Sequence, residues 1–446
     1  DGAVTVEGAS TELTVNDGVT LTADNDGTTD EDVTLNDASR LVVDGGTVTG
    51  NVVLADTARF DVDTETDTGT IDGDVTQDGT GDSTLAGDIT GTLDVNAGTV
   101  TVDGVSTVTG ATTVDDATLT VSQNLTATGN VTVGATGDGS NAATLTGNVS
   151  NAGNFGNSGT IDGGVDNSGS FGNSGTITGD ATNTAGELSN TGTIQGNVAV
   201  SGGTFDNDSA VDGDVTQTGG MTELAGDIGG LLDIDAGTVT VDGDSTVDGA
   251  VTVEGASTEL TVNDGQTLMA NAGVQVGAGV AGAVLDVDGS LTRTGGGVAI
   301  DNDGGTVQLG DASGTTVVTG ELEQDGGTTT IVGATNVTEV VDINAGSLTV
   351  NDGVTLAATG GVDLAAGTVY RQNGNLTGNL VTSSGDAEVG ANITGSVTQN
   401  AGQTTVTAAS TISGPVTVDG GNLILNAATT FSEGGQVNGG GTLTLN

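Results

Sequence analysis

The sequence predicts an all-β solenoid, and three observations carry that prediction. Between Asn154 and Val215 one unit is written four times. Its apolar columns are Phe155, Phe171, Leu188 and Phe205; Ile161, Ile177, Ile194 and Val211; and Val165, Ala181, Val198 and Val215. All three columns keep one common step of about 16 or 17 residues. A unit of that length cannot bury its apolar side chains alone, so it stacks on its neighbours. Between such units lie short runs such as TLDVNAG, TVTVDG and LTVNDG, whose period-2 alternation is that of a half-buried strand. The composition, with 81 Gly, one Pro, no Cys, no Trp and 1% aromatics, supplies a thin core and not a wide one. A globular chain of 446 residues divides into about two or three domains, but here the character of the sequence never changes. Disorder is the competing reading of a Gly-rich, charged chain; it gives no reason for apolar residues to keep register.

Taken from its start, the chain carries a signature of apolar, any, Gly, any, apolar. It appears as Val48-Thr-Gly-Asn-Val52, Ile71-Asp-Gly-Asp-Val75, Ile89-Thr-Gly-Thr-Leu93, Ala127-Thr-Gly-Asn-Val131 and Leu145-Thr-Gly-Asn-Val149. After the central block it continues at Ile228–Leu232, Val247–Val251, Val318–Leu322, Leu376–Leu380, Ile393–Val397 and Ile412–Val416. Most neighbouring steps are about 16 to 19 residues. The two longest gaps, Val247 to Val318 and Val318 to Leu376, read as four and three coils. Gly and Asn-Asp-Gly punctuation ends each run where the backbone turns, often through positive φ. No helical periodicity is present.

The expected domain organisation is one continuous solenoid over residues 1–446, about 24 coils of roughly 16–19 residues, stacked at ~4.8 Å into a rod of roughly 115 Å. Strands in such a stack pair in parallel with the coils on either side. Internal duplication fits this design. Gly2–Ala23 and Gly249–Ala270 agree at 20 of 22 positions, and Ile71–Val108 resembles Val211–Val247 with one residue lost. Asn157, Asn173 and Asn190 form a further column. Two readings of it are open: an amide ladder between coils, or tolerance of a left-handed turn.

Sixty acidic residues face four basic ones, Arg40, Arg59, Arg293 and Arg371, for a net charge of −56. Over the expected rod this is about one charge per 2 Å, close to the linear density of duplex DNA. Repulsion therefore disfavours nucleic acid and anionic membrane as partners. Carboxylate columns need screening, which high salt supplies as the Debye length falls to ~3 Å near 1 M, or else divalent cations. Asp61/Asp63, Asp233/Asp235 and Asp286/Asp288 recur as Asp-x-Asp with both carboxylates on the outer face, an oxygen-rich pattern that suits calcium. Neither an EF-hand loop nor a calcium-binding nonapeptide array accompanies them. A solvated acidic face that condenses cations loosely is the plainer reading.

Catalysis finds little support, since the absence of His and Cys removes the commonest base, the thiol nucleophile and zinc sites. Asp115-Asp116 is a poor carboxylate pair for hydrolysis, because adjacent strand residues face opposite sides. Tyr370-Arg371 reads as an ordinary surface pair. Thr-x-Thr at Thr47/Thr49, Thr99/Thr101, Thr238/Thr240 and Thr442/Thr444 raises ice binding as an alternative. The Thr ranks are interrupted, however, and outward Thr is a good strand residue in any case. Asn124, Asn336 and Asn392 begin glycosylation sequons of a kind that Thr-rich sequence produces freely.

With NSGTI-x-G repeats, TVxG runs and turns rich in Gly, Asn, Thr and Asp, the chain resembles the passenger domains of bacterial autotransporters and related surface adhesins. The resemblance is one of repeat style and spans the whole chain. It implies a right-handed parallel β-helix displayed outside the cell. The signal peptide, membrane segment and C-terminal barrel of the full-length pattern do not appear in this sequence, so they lie outside it or the protein is free-standing. Both ends read as ordinary coils, DGAVTV and GTLTLN, without a polar cap, and uncapped edges pair readily. The expectation is a secreted or cell-surface structural protein: a stalk, an adhesin shaft, or a filament or surface-assembly subunit. It would self-associate end to end or side by side, with a cell-surface or glycan partner and no membrane insertion of its own. An ice- or glycan-binding module is the alternative.

Overall fold

The computed structural model describes residues 2–23, 32–63, 68–279, 281–311 and 314–446, and among these the chain winds as a parallel β-solenoid without helix. Two compact units are distinguished, Asp1–Gly213 and Asp214–Asn446. Each is built on the same plan. A coil carries three short strands, one on each of three faces, and every strand pairs in parallel with the strand of the same face one coil away. In the first unit Val149–Asn151, Asn154–Asn157 and Thr160–Asp162 lie against Val165–Asn167, Ser170–Asn173 and Thr176–Ile177. The second unit repeats this with Leu376, Leu380 and Ala387 lying against Ile393, Val397 and Thr404.

The signature now has a structural meaning. Its opening apolar residue ends a third-face strand, and its closing apolar residue begins the first-face strand of the next coil, as Ile161 and Val165 do. Between them the chain turns a corner directly against the corner of the previous coil. A Cβ on Gly179 would stand 2.7 Å from the carbonyl oxygen of Gly163, and one on Gly175 only 1.9 Å from that of Gly159. Glycine is required at these positions by close approach of backbone to backbone.

Each unit contains eleven third-face strands among the described residues, near the expected total of about 24 coils. The difference lies in coil length, which exceeds the expectation in places. Leu21 to Val48, Val48 to Ile71, Leu268 to Leu291 and Leu291 to Val318 are each a single coil, longer than any unit of the central block. The gap from Val247 to Val318 therefore holds three coils instead of four, whereas that from Val318 to Leu376 holds three as expected.

The core is a set of columns. Phe155 and Phe171 stack with ring centroids 5.3 Å apart and planes 6° from parallel. At the head of that column stands Gly139, where a Cβ would lie 2.3 Å from the Phe155 ring. The Asn column is an amide ladder. Asn141 donates to Asn157, Asn157 to Asn173, Asn173 to Asn190 and Asn190 to Asn207, each at 2.8 Å. None of these residues has positive φ, which removes the turn reading. A second ladder, not anticipated, joins Asn151 to Asn167 at 2.9 Å and Asn167 to Asn183 at 2.8 Å. Elsewhere a buried Gln does the same work within a coil. Ser83 donates to Gln77 and Thr222 to Gln217, both at 2.6 Å, while the Gln amides donate to turn carbonyls.

Tyr370 corrects the expected surface pair. Its ring points inward and is fully buried, its hydroxyl has no hydrogen-bond partner, and burial raises its pKa. Small Ala387 in the following coil makes room for the ring. Arg371 alone faces outward, 3.6 Å from Glu388. Similarly, Asp115 and Asp116 occupy an exposed turn and not a strand, with Asp116 at φ 48.

The ladder makes a specific stability prediction. Asn173→Ala leaves the Asn157 amide and the Asn190 carbonyl buried without their partners, which costs about 2–4 kcal/mol. Ser174→Ala, at the adjacent surface turn, costs less than about 0.5 kcal/mol. Urea denaturation of the two variants beside the parent chain checks the difference.

Candidate functional site

Outward positions also form columns, and most of them follow one rule: a hydroxyl stands next to a carboxylate. Thr113 donates to Asp94 at 2.6 Å, Thr90 to Asp72 at 2.7 Å and Thr178 to Asp162 at 3.1 Å, in each case from the following coil. Ser383 donates to Asp363 at 2.8 Å in the same way. Strands stack at ~4.8 Å, a distance at which two carboxylates repel and a hydroxyl and a carboxylate bond.

The six Asp-x-Asp residues largely obey this rule. Asp61 is taken up by Arg40 and Thr84, in the columns where Val42 pairs Asp61 and Asp61 pairs Thr84. The side chain of Asp63 lies outside the described residues; its backbone pairs with Asp44. Asp233 accepts from Thr252, while Asp235 lies beyond the strand in an exposed turn. Asp286 accepts from Gln308 at 3.2 Å, and burial followed by repulsion from Asp288 raises its pKa. Asp288 is raised by burial, then by Asp311 and Asp264, and its Oδ1 is buried without a partner. The structure thus brings Asp286 and Asp288 together with acidic neighbours and engages Asp61 and Asp233 separately. Among the described residues no group of three or more acidic side chains is arranged to hold a metal ion.

One surface breaks the rule. On the first face of the second unit, Asp301 pairs in register with Glu323, Glu323 with Asp342, and Asp342 with Asp363, giving four carboxylates on four successive coils. Burial is the largest influence on Asp301, Glu323 and Asp342, and all three pKa values are raised. Asp325 and Asp303 add to the shift at Asp301; Asp325, Asp301, Glu321 and Asp342 at Glu323; and Asp363 and Asp325 at Asp342. Glu321, beside this column, is raised by burial and then by Asp342 and Glu339. Asn344 relieves part of the crowding, donating to Asp325 at 2.9 Å and Glu323 at 3.2 Å, as Ser383 does at Asp363. This column can concentrate cations, and Asp301, Glu323 and Asp342 hold their protons more firmly than free carboxylates do.

Thr-x-Thr ranks are short, whereas a single Thr column, Thr144, Thr160, Thr176 and Thr193, runs over four coils. Thr99 and Thr101 pair with Thr118 and Thr120, and the columns then pass to Asp138 and Ser140 on one side and come from Asp82 and Thr84 on the other. No family model, curated protein or solved structure matches this chain.

The raised carboxyls set a pH dependence. A folded state that binds more protons than the unfolded chain gains stability as pH falls, through the raised pKa values and down to the ordinary 3.8 of Asp and 4.5 of Glu. Thermal melts in low salt should therefore show a higher transition at about pH 5 than at about pH 7, a difference that shrinks in about 1 M NaCl. Asp342→Asn raises the transition at neutral pH and reduces its pH dependence.

Proposed function

We propose that this chain is a structural β-solenoid of the cell exterior: a surface stalk, an adhesin shaft, or a filament or surface-assembly subunit. The observation that carries the reading is the uniform stack, in which each coil offers the next the same three parallel-pairing faces. Gly435–Leu445 pairs only with Val416–Leu425 among the described strands, and Val437, Leu443 and Leu445 are 47%, 37% and 72% exposed. In the first unit Val4–Val6, Glu12–Asn16 and Thr20–Thr22 likewise each have a described partner on one side only, with Val4, Leu13 and Leu21 half-exposed. Such edges bind a further coil, whether of the same polypeptide or of a second copy. Either way the solenoid grows by repetition.

The acidic columns support the same reading from the side. They repel nucleic acid and anionic membrane at a net charge of −56, and they permit lateral association only where salt or divalent cations screen them. An ice-binding face needs several adjacent Thr ranks; here the double rank at Thr99/Thr101 and Thr118/Thr120 is two coils deep, and the four-coil column from Thr144 to Thr193 is one residue wide. Secretion and autotransporter-like display belong to the proposal through repeat style.

Sedimentation velocity over a concentration series in about 1 M NaCl, with EDTA and then with millimolar calcium, tests it. Mass should grow with concentration, more steeply with calcium, and the double variant Val437→Glu/Leu445→Glu should remain monomeric. Monomer mass for both proteins at every concentration would overturn assembly through this edge.

A further inference from the structure

The most irregular coil described in the second unit runs from Leu291 to Val318. Gly295, Gly296 and Gly297 pass through φ of +88, +78 and +93 in succession. The strand that follows, Val298–Asn302, carries a bulge between Val298 and Ile300 where it pairs with the next coil. Bulges and glycine excursions re-aim side chains, and the side chain at this one is Arg293. Its Nη1 donates to the carbonyl of Val298 at 2.7 Å, while its Nε is buried without a partner. No carboxylate among the described residues lies within 4.0 Å of it. Arg40 and Arg371, by contrast, are paired with acids. In a chain with 60 acidic and four basic residues, this half-buried guanidinium makes no direct ion pair among the described residues, although Glu339 stands by the same glycine run and accepts from the Gly297 amide at 3.4 Å.

Arg293 borders a cavity of about 270 Å³, and across it stand Thr252, Gln275, Asp301 and Glu323. The last three follow one another in register at the head of the acidic column. Oδ1 of Asp301 is buried without a partner, and burial raises the pKa of both carboxyls. The cavity therefore holds an uncompensated cation on one wall and two crowded anions on the other. A simple anion would leave the carboxylates unrelieved, a simple cation would leave the guanidinium so, and a neutral polyol would relieve neither.

We propose that this cavity binds a small zwitterion of the α-amino-acid class, with its carboxylate on Arg293 and its ammonium between Asp301 and Glu323. Thr252 and Gln275 offer neutral polar contacts on the same wall. The volume, below the ~300–1,000 Å³ of pockets for drug-sized ligands, suits a molecule of that size. The site is independent of the proposed assembly role, since it lies on the first face and not at a coil edge.

Saturation-transfer NMR on the whole chain in low salt, with L-alanine as the probe, tests the assignment. L-Alanine should give a saturable signal. N-acetyl-L-alanine, which lacks the ammonium, and L-alaninamide, which lacks the carboxylate, should bind at least ~10-fold more weakly. Arg293→Gln and Glu323→Gln should each weaken L-alanine by a similar factor, whereas Arg371→Gln should leave it unchanged. Absence of saturable L-alanine binding overturns the proposal, as does equal binding of either blocked analogue, or unchanged binding by a natively folded Arg293→Gln. Should that variant lose its β-sheet circular dichroism, the analogue comparison on the parent chain decides alone.

Discussion

Parallel stacking in register at ~4.8 Å is the constraint from which the rest of this structure follows. Every side chain meets its own counterpart one coil away, so each position must be filled by something that tolerates its like. Inside, aromatic rings satisfy that condition by stacking, as Phe155 and Phe171 do, and amides by donating and accepting in one direction, as in the ladder from Asn141 to Asn207. At the corners, where backbone meets backbone, glycine alone fits. The composition, rich in Gly, Asn, Val and Thr and poor in bulk, is what the constraint selects.

Outside, the same constraint works against a chain with 60 acidic residues. Carboxylate on carboxylate is the costly combination, and interleaving with Thr removes it at Asp72, Asp94 and Asp162. Asp301, Glu323 and Asp342 stand together against that pattern, and burial, then repulsion from neighbouring carboxylates, raises their pKa values. The coil that precedes this column is also the one with the glycine excursion, the bulge and Arg293. Several departures from the repeat thus coincide at this place in the second unit.

The duplicated coils show how much of a coil's stability belongs to its neighbours. Val4, Leu13 and Leu21 are half-exposed, whereas their equivalents Val251, Leu260 and Leu268, in nearly identical sequence, are fully buried. The first set has a described coil on one side and the second on both. Burial here is a property of the stack, and an open edge is an unfinished one.

That division also separates what was legible in the sequence from what was not. The all-β class, the coil signature, the Phe and Ile columns and the Asn157 column could be read directly, because between Asn154 and Val215 nearly equal coil lengths put contacting residues at nearly equal spacings; that the Asn column is an amide ladder was decided by the structure. Glycine corners were legible for the same reason. Where coils vary in length, contact and spacing part company. Asp301, Glu323, Asp342 and Asp363 follow one another at unequal steps along the chain, so no period marks them. The long coils Leu268 to Leu291 and Leu291 to Val318 likewise turned an expected four into three. Tyr370 was placed on the surface because its neighbour is Arg371, and only the facing Ala387 shows why the ring goes in. The residues of the chain alone determined that like would stack on like. Which acids meet, and which cation is left facing them across a cavity, was decided by turn lengths that set the register in three dimensions.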